Sequence, residues 1–228
     1  MCFSFDSQDP TDPLANGFGV IEALDEIRIP PGAGGASLPR RDADVLTYVL
    51  EGSLAQEDTS GRSGVIHSGE FQRMNTGQRI RHCERNGSHA DWAHVFQIWL
   101  RAKTSPGHHP VELIRFSTAV RRGLLCLIAS PNGDAGSLSI RQDALIYSSI
   151  LDPGQHMVHE LAPGRSAWVH VVRGEISIDD LVLARGDGIG VSDEISVSFT
   201  ATDYGETEIL LIDLPKAPLP PAAEALHD

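Results

Sequence analysis

Short apolar runs punctuated by glycine recur along the whole chain, and apolar positions at a sustained helical spacing are hard to find in it. The runs are rich in β-branched and aromatic residues. They predict strands at 45–50, 71–76, 95–100, 124–128, 144–151, 167–172, 175–178 and 208–214. Many short strands closed by turn residues point to a sandwich or a barrel.

The pattern also repeats. Pro31-Gly32 precedes the Gly52 of Tyr48-Val49-Leu50-Glu51-Gly52 by the interval that separates Pro153-Gly154 from the Gly174 of His170-Val171-Val172-Arg173-Gly174. A second turn follows in each copy, Ser68-Gly69-Glu70 and Arg185-Gly186-Asp187, and each copy ends on an apolar strand. The first copy takes longer to reach its second turn, which predicts a longer hairpin around residues 58–62. Turn glycine, strand, turn glycine, strand is the order that a β-barrel folded twice requires. Residues 101–110 have the composition of a linker, so the expected units are 1–103 and 104–228, the second carrying a Pro/Ala-rich tail from Lys216. His108 and His109 in that linker read as surface histidines.

A chain of 228 residues can bury two cores without disulfide staples. Its three cysteines, Cys2, Cys83 and Cys126, show no CxxC spacing and suit a reducing compartment. No apolar run reaches the length of a bilayer span, and the first residues lack the order of a signal peptide, so a cytoplasmic protein that contacts no membrane is expected. Formal charge is −13, from 31 acidic and 18 basic residues, which disfavours direct binding to nucleic acid. The doublets Arg40-Arg41 and Arg121-Arg122 read mainly as solvated surface.

The segments Asp44–Gly52, Gly64–Glu70 and Phe96–Leu100 together resemble the first barrel of the pirin family, and the resemblance covers nearly the whole chain. The stretch Leu127–Leu138 and the ending Leu211-Ile212-Asp213-Leu214-Pro215 resemble a bacterial branch of it, the YhaK-like proteins. The resemblance implies an all-β fold of two tandem cupin (jelly-roll) barrels. It also implies one metal, usually iron, in the first barrel, held by a His-x-His pair, a later His and a Glu, with quercetin dioxygenase activity or a transcriptional cofactor role in some members.

This sequence departs from that pattern. The His-x-His positions read Leu38-Pro39-Arg40, and only His82 and Glu84 remain of the ligand set. A non-haem iron site commonly takes three or more protein ligands, so two are not enough. On a strand His82 and Glu84 share one face, and Arg81, Cys83 and Arg85 share the other, which makes Cys83 a structural thiol rather than a redox one. Arg40 offers a substitute for the ion: a guanidinium would repel a cation and could neutralise Glu84 by a charge-assisted hydrogen bond. The alternative places Arg40 in solvent and His82 in the interior.

The second copy is emptier, with Glu160 and Ala162 at the positions of Leu38 and Arg40. His156, His159 and His170 show no spacing that would make them converge, and a packed structural barrel is expected there. No nucleophile elbow or phosphate-binding loop is present. The expected protein is therefore a metal-free binding or regulatory bicupin with no cofactor, holding a small molecule in a pocket of Arg40, His82, Glu84 and Gln97. The alternative is a quercetin 2,3-dioxygenase-like enzyme with iron or another divalent metal, for which His82 and Glu84 are the remnant ligands. Protein partners are not specified by the sequence.

Overall fold

The two repeat glycines close equivalent corners. Gly52 has φ +73° and a Cβ there would meet Trp92 O at 2.4 Å; Gly174 has φ +77° and a Cβ would meet Thr207 Cα at 2.8 Å. Each corner thus turns against the start of the last long strand of its own copy, where only glycine fits.

The computed structural model describes residues 2–5, 14–37, 43–58, 61, 63–75, 82–101, 111–202 and 205–216. The first half holds β1 (Cys2–Ser4), β2 (Ile21–Ile29), β3 (Gly34–Ser37), β4 (Ala43–Glu51), β5 (Ser53–Asp58), β6 (Ser63–His67), β7 (Glu70–Asn75), β8 (His82–Asn86), β9 (Ala93–Arg101) and β10 (Glu112–Arg115). A one-turn helix, α1 (Thr118–Arg121), leads into β11 (Cys126–Ser130), β12 (Leu138–Ser139), β13 (Leu145–Leu151), β14 (His156–Glu160) and β15 (Arg165–Arg173). The chain continues through β16 (Glu175–Ile178), β17 (Leu181–Ala184), β18 (Gly188–Ser192), β19 (Ser196–Ala201) and β20 (Thr207–Pro215). Every predicted run falls on a strand, within two residues at either end. The strands that hydropathy did not mark, such as β14 and β18, alternate exposed and half-buried residues and carry a weaker apolar signal.

Each barrel pairs two sheets. The first has β1-β2-β9-β4-β7-β10 facing β3-β8-β5-β6; the second has β12-β11-β13-β20-β15-β18 facing β14-β19-β16-β17. β10 lies past residue 103, yet it pairs with β7 and so extends the first sheet. Phe5 and Phe18, from the N-terminal segment, pack on Trp168 of the second barrel at centroid distances of 4.9 and 5.5 Å.

Strand alternation gives each large sheet two buried faces. One face of β4 and β9, carrying Leu46, Tyr48, Leu50, Phe96, Ile98 and Leu100, joins Trp168, Val172, Leu210, Ile212 and Leu214 in one core between the barrels. The other face looks into the first barrel, and its apolar residues fall into two separate clusters. Val49, Leu54, Ile66, Ala93 and Val95 form one; Ala43, Val45 and Trp99 form the other. Thr47 stands between Val45 and Val49 on that face, and Gln97 between Val95 and Trp99. A polar layer divides the interior of the first barrel.

Candidate functional site: a polar layer inside the first barrel

The layer is set by register. Asp25 on β2 pairs with Gln97 on β9, Gln97 with Thr47 on β4, and Thr47 with Gln72 on β7, so four polar residues cross one sheet in a row. On the facing sheet Gln56 of β5 pairs with Glu84 of β8. The two sheets meet at Glu84. Its carboxylate accepts from Gln97 Nε2 at 3.1 Å (Oε1) and 2.9 Å (Oε2), and from Gln56 Nε2 at 2.9 Å. Asp25 accepts from Trp99 Nε1 at 3.0 Å on the same level.

Glu84 is only 5 % exposed, and burial pushes its pKa up to about 7, against the pull of the Gln56 and Gln97 amides. A carboxylate only accepts, so both amides must turn their N–H groups towards it. That orientation turns Gln97 Oε1 away from the carboxylate. Gln97 Oε1, Gln72 Oε1 and Thr47 Oγ1 are buried without a protein hydrogen-bond partner. Each such group costs on the order of 1–3 kcal/mol unless something pairs with it.

The second barrel shows what the same positions look like when they only pack. Val169 and Ile178 stand at the same distances from Gly174 as Thr47 and Gln56 stand from Gly52. Val169 pairs with Leu211 as Thr47 pairs with Gln97. Ile176 pairs with Ala201, two residues from Phe199, as Leu54 pairs with Asn86, two residues from Glu84. Val169, Ile178, Phe199 and Leu211 all belong to one apolar core. Four polar residues in one barrel thus face four apolar counterparts in the other.

Of the residues expected in the pocket, Glu84 and Gln97 are in direct contact. His82 lies on β8, but its side chain is outside the described residues, as are Arg40 and the expected Arg40–Glu84 contact. Cys83 is exposed and Glu84 buried, the alternation expected of that strand. Gln56, Thr47 and Gln72 were missed. The signal for two of them was present, since Thr47 and Gln56 interrupt otherwise apolar inward positions around Gly52.

The structure also places three histidines and an arginine doublet outside this layer. His156 Nδ1 contacts Thr200 Oγ1 at 3.0 Å, and His159 Nε2 contacts Asp213 Oδ2 at 2.9 Å. His170 is buried on the opposite face of the second barrel's large sheet, against Phe96, with neither ring nitrogen partnered. Arg121 is not surface: it is 4 % exposed and its guanidinium is 2.5 Å from Glu208. Its neighbour Arg122 does reach solvent, where it pairs with Asp152 and Glu206.

The fold and this layer define a bicupin with one polar and one apolar barrel interior. The Pirin family profile matches residues 2–100, and that of the quercetinase C-terminal cupin domain matches 127–214. A quercetin 2,3-dioxygenase of Escherichia coli K12 is 33% identical over 204 residues, covering 90% of this chain and 86% of the relative. A pirin-like protein of Caulobacter vibrioides is 30% identical over 212 residues, covering 92% and 89%. The crystal structure of the Escherichia coli pirin YhhW in complex with nickel(II) superposes with a TM-score of 0.84 at 33% identity, covering 94% of this chain and 91% of that one. YhaK from Escherichia coli gives 0.78 at 25% identity, covering 87% of each. The chain belongs to the pirin family.

That family implies a metal, and the nickel complex of YhhW carries one. Among the described residues, the groups around Glu84 do not fit it. Both carboxylate oxygens accept amide N–H groups, whose positive ends would oppose a cation, and among the described residues no three His, Cys, Asp or Glu side chains converge. Among those residues, too, no helix is long and apolar enough to cross a membrane.

Proposed function

We propose that this pirin is a metal-free binding protein with a regulatory or sensing role, whose first barrel takes a small polar molecule beside Glu84. The observation that carries the reading is the contrast between barrels. A barrel that needed only to fold would fill these positions as the second one does, with Val, Ile, Phe and Leu. Gln97 Oε1, Gln72 Oε1 and Thr47 Oγ1 can all accept, so the molecule is one that donates hydrogen bonds, such as a hydroxylated compound. Arg40 and His82 belong to the same proposed pocket. A formal charge of −13 argues against nucleic acid as a direct partner.

The names of the relatives and the nickel complex of YhhW favour a second reading, a metal-dependent quercetin 2,3-dioxygenase-like enzyme. In that case His82 and Glu84 would be the retained ligands. Elemental analysis of protein purified without chelator, with aerobic incubation of the same sample with a flavonol, separates the two. Metal far below one equivalent and no flavonol consumption are expected. Stoichiometric metal that disappears in His82→Ala, with flavonol turnover, would replace the first reading with the second.

A further inference from the structure

A concave site lies where the two barrels meet. It is a cleft of about 480 Å³, within the size range of small-molecule sites. Tyr48 and Glu208 form its floor with Arg121. Tyr48 Oη donates to Glu208 Oε1 at 2.6 Å, and Arg121 Nη1 donates to Glu208 Oε1, to Tyr48 Oη at 3.2 Å and to Ser148 Oγ at 3.1 Å. Arg121 Nε is buried there without a partner. A buried ion pair contributes little to stability over apolar residues of the same volume, so the floor is costly if it serves packing alone.

The walls come from both barrels. Arg115 ends β10 of the first barrel's sheet, and Arg173 ends β15 of the second. Both line the cleft. Arg115 is 3.7 Å from Glu70, with its side chain 60% exposed, and Arg173 is 2.9 Å from Glu51, with its side chain 42% exposed. Exposed pairs of this kind are worth about 0–1 kcal/mol and exchange readily for a better partner. Three arginines (115, 121, 173) against two glutamates (206, 208) leave the lining at +1 in a chain of charge −13. The exposed hydroxyls of Ser117 and Thr118 add hydrogen-bonding groups beside Arg115.

We infer that this cleft is a second ligand site, for a small anion held between Arg115 and Arg173. The anion replaces the weak contacts of Arg115 with Glu70 and of Arg173 with Glu51 and, at 4.0 Å, Glu206, and bridges the two barrels. It shares no residue with the Glu84 layer, so the inference stands apart from the function proposed above.

The test is calorimetric titration of the full-length protein with succinate and, separately, with inorganic phosphate, in a buffer free of multivalent anions. Saturable binding near one equivalent is expected for at least one of them; succinate alone assigns a carboxylate ligand, and phosphate alone a phosphoryl one. In Arg115→Gln/Arg173→Gln the affinity falls by at least about tenfold. In Glu84→Gln it does not change. Absence of saturable binding by either anion, or equal binding by the double variant, would overturn the inference. The same outcome in Glu84→Gln as in the double variant would also do so, since the anion would then sit in the first barrel.

Discussion

Gln97 Nε2 donates to both carboxylate oxygens of Glu84 across the interior of the first barrel, joining one sheet to the other. The carboxylate is buried, and its partners among the described residues are neutral amides. Its charge is therefore a liability to the folded state, one that varies with pH.

The unfolded carboxyl titrates near 4.5 and the folded one near 7. Between those values the folded state holds a proton that the unfolded state has lost, so stability from this group falls as pH rises through the window. Glu84→Gln removes the effect. The variant should match the parent near pH 4.5 and exceed it at pH 8 by about 3 kcal/mol, read by urea unfolding. A variant less stable than the parent at pH 8 contradicts the buried, under-neutralised carboxylate.

The reciprocal change in the second barrel should be severe. Phe199 is fully buried among Ile176, Ile178 and Leu211, with no amide pair to receive a carboxylate. Phe199→Glu should cost at least about 3 kcal/mol or prevent folding. A melting temperature within a few degrees of the parent's would mean that the two interiors are not as different as their packing indicates.

His170 titrates in the opposite sense. Burial lowers its pKa from 6.5 to about 4, despite the pull of Glu26 and Asp187. As pH falls from about 6.5 towards 4 the unfolded state takes up a proton that the folded state refuses, so stability from this group is lost on acidification. His170→Leu should lessen the fall in unfolding free energy between pH 6.5 and 4.5. An acid limb as steep as the parent's would remove His170 as its source.

Arg121 and Glu208 should behave as a coupled pair. Either Arg121→Met or Glu208→Leu strands a buried charge and should cost about 3–5 kcal/mol, while the double variant should recover much of the loss. Chemical denaturation of the four proteins gives the coupling. Additive single losses would show that the two side chains do not act together.

Much of the fold was legible because turn chemistry and strand alternation are local. Gly52 and Gly174 mark equivalent corners, and the apolar runs after and before them mark the central strands of both large sheets. Glu84 was singled out through the family likeness and Gln97 was grouped with it, and the two side chains are in contact. Gln72 was not, because its place in the layer depends on pairing with Thr47 across strands well separated along the chain. Arg121 read as half of a surface doublet because sequence adjacency says nothing about Glu208, its partner in the last strand.

The sequence by itself determined the duplication, the strand positions and which residues alternate together, since these follow from backbone sterics and a period of two. Which of a strand's two faces meets the other barrel, and which closes on its own interior, was decided only by tertiary packing. That choice sends Tyr48 to the seam and its neighbour Thr47 into the polar layer. A one-residue step along a strand changes the face completely, and only the layers stacked on each side say which face is a core and which is a site.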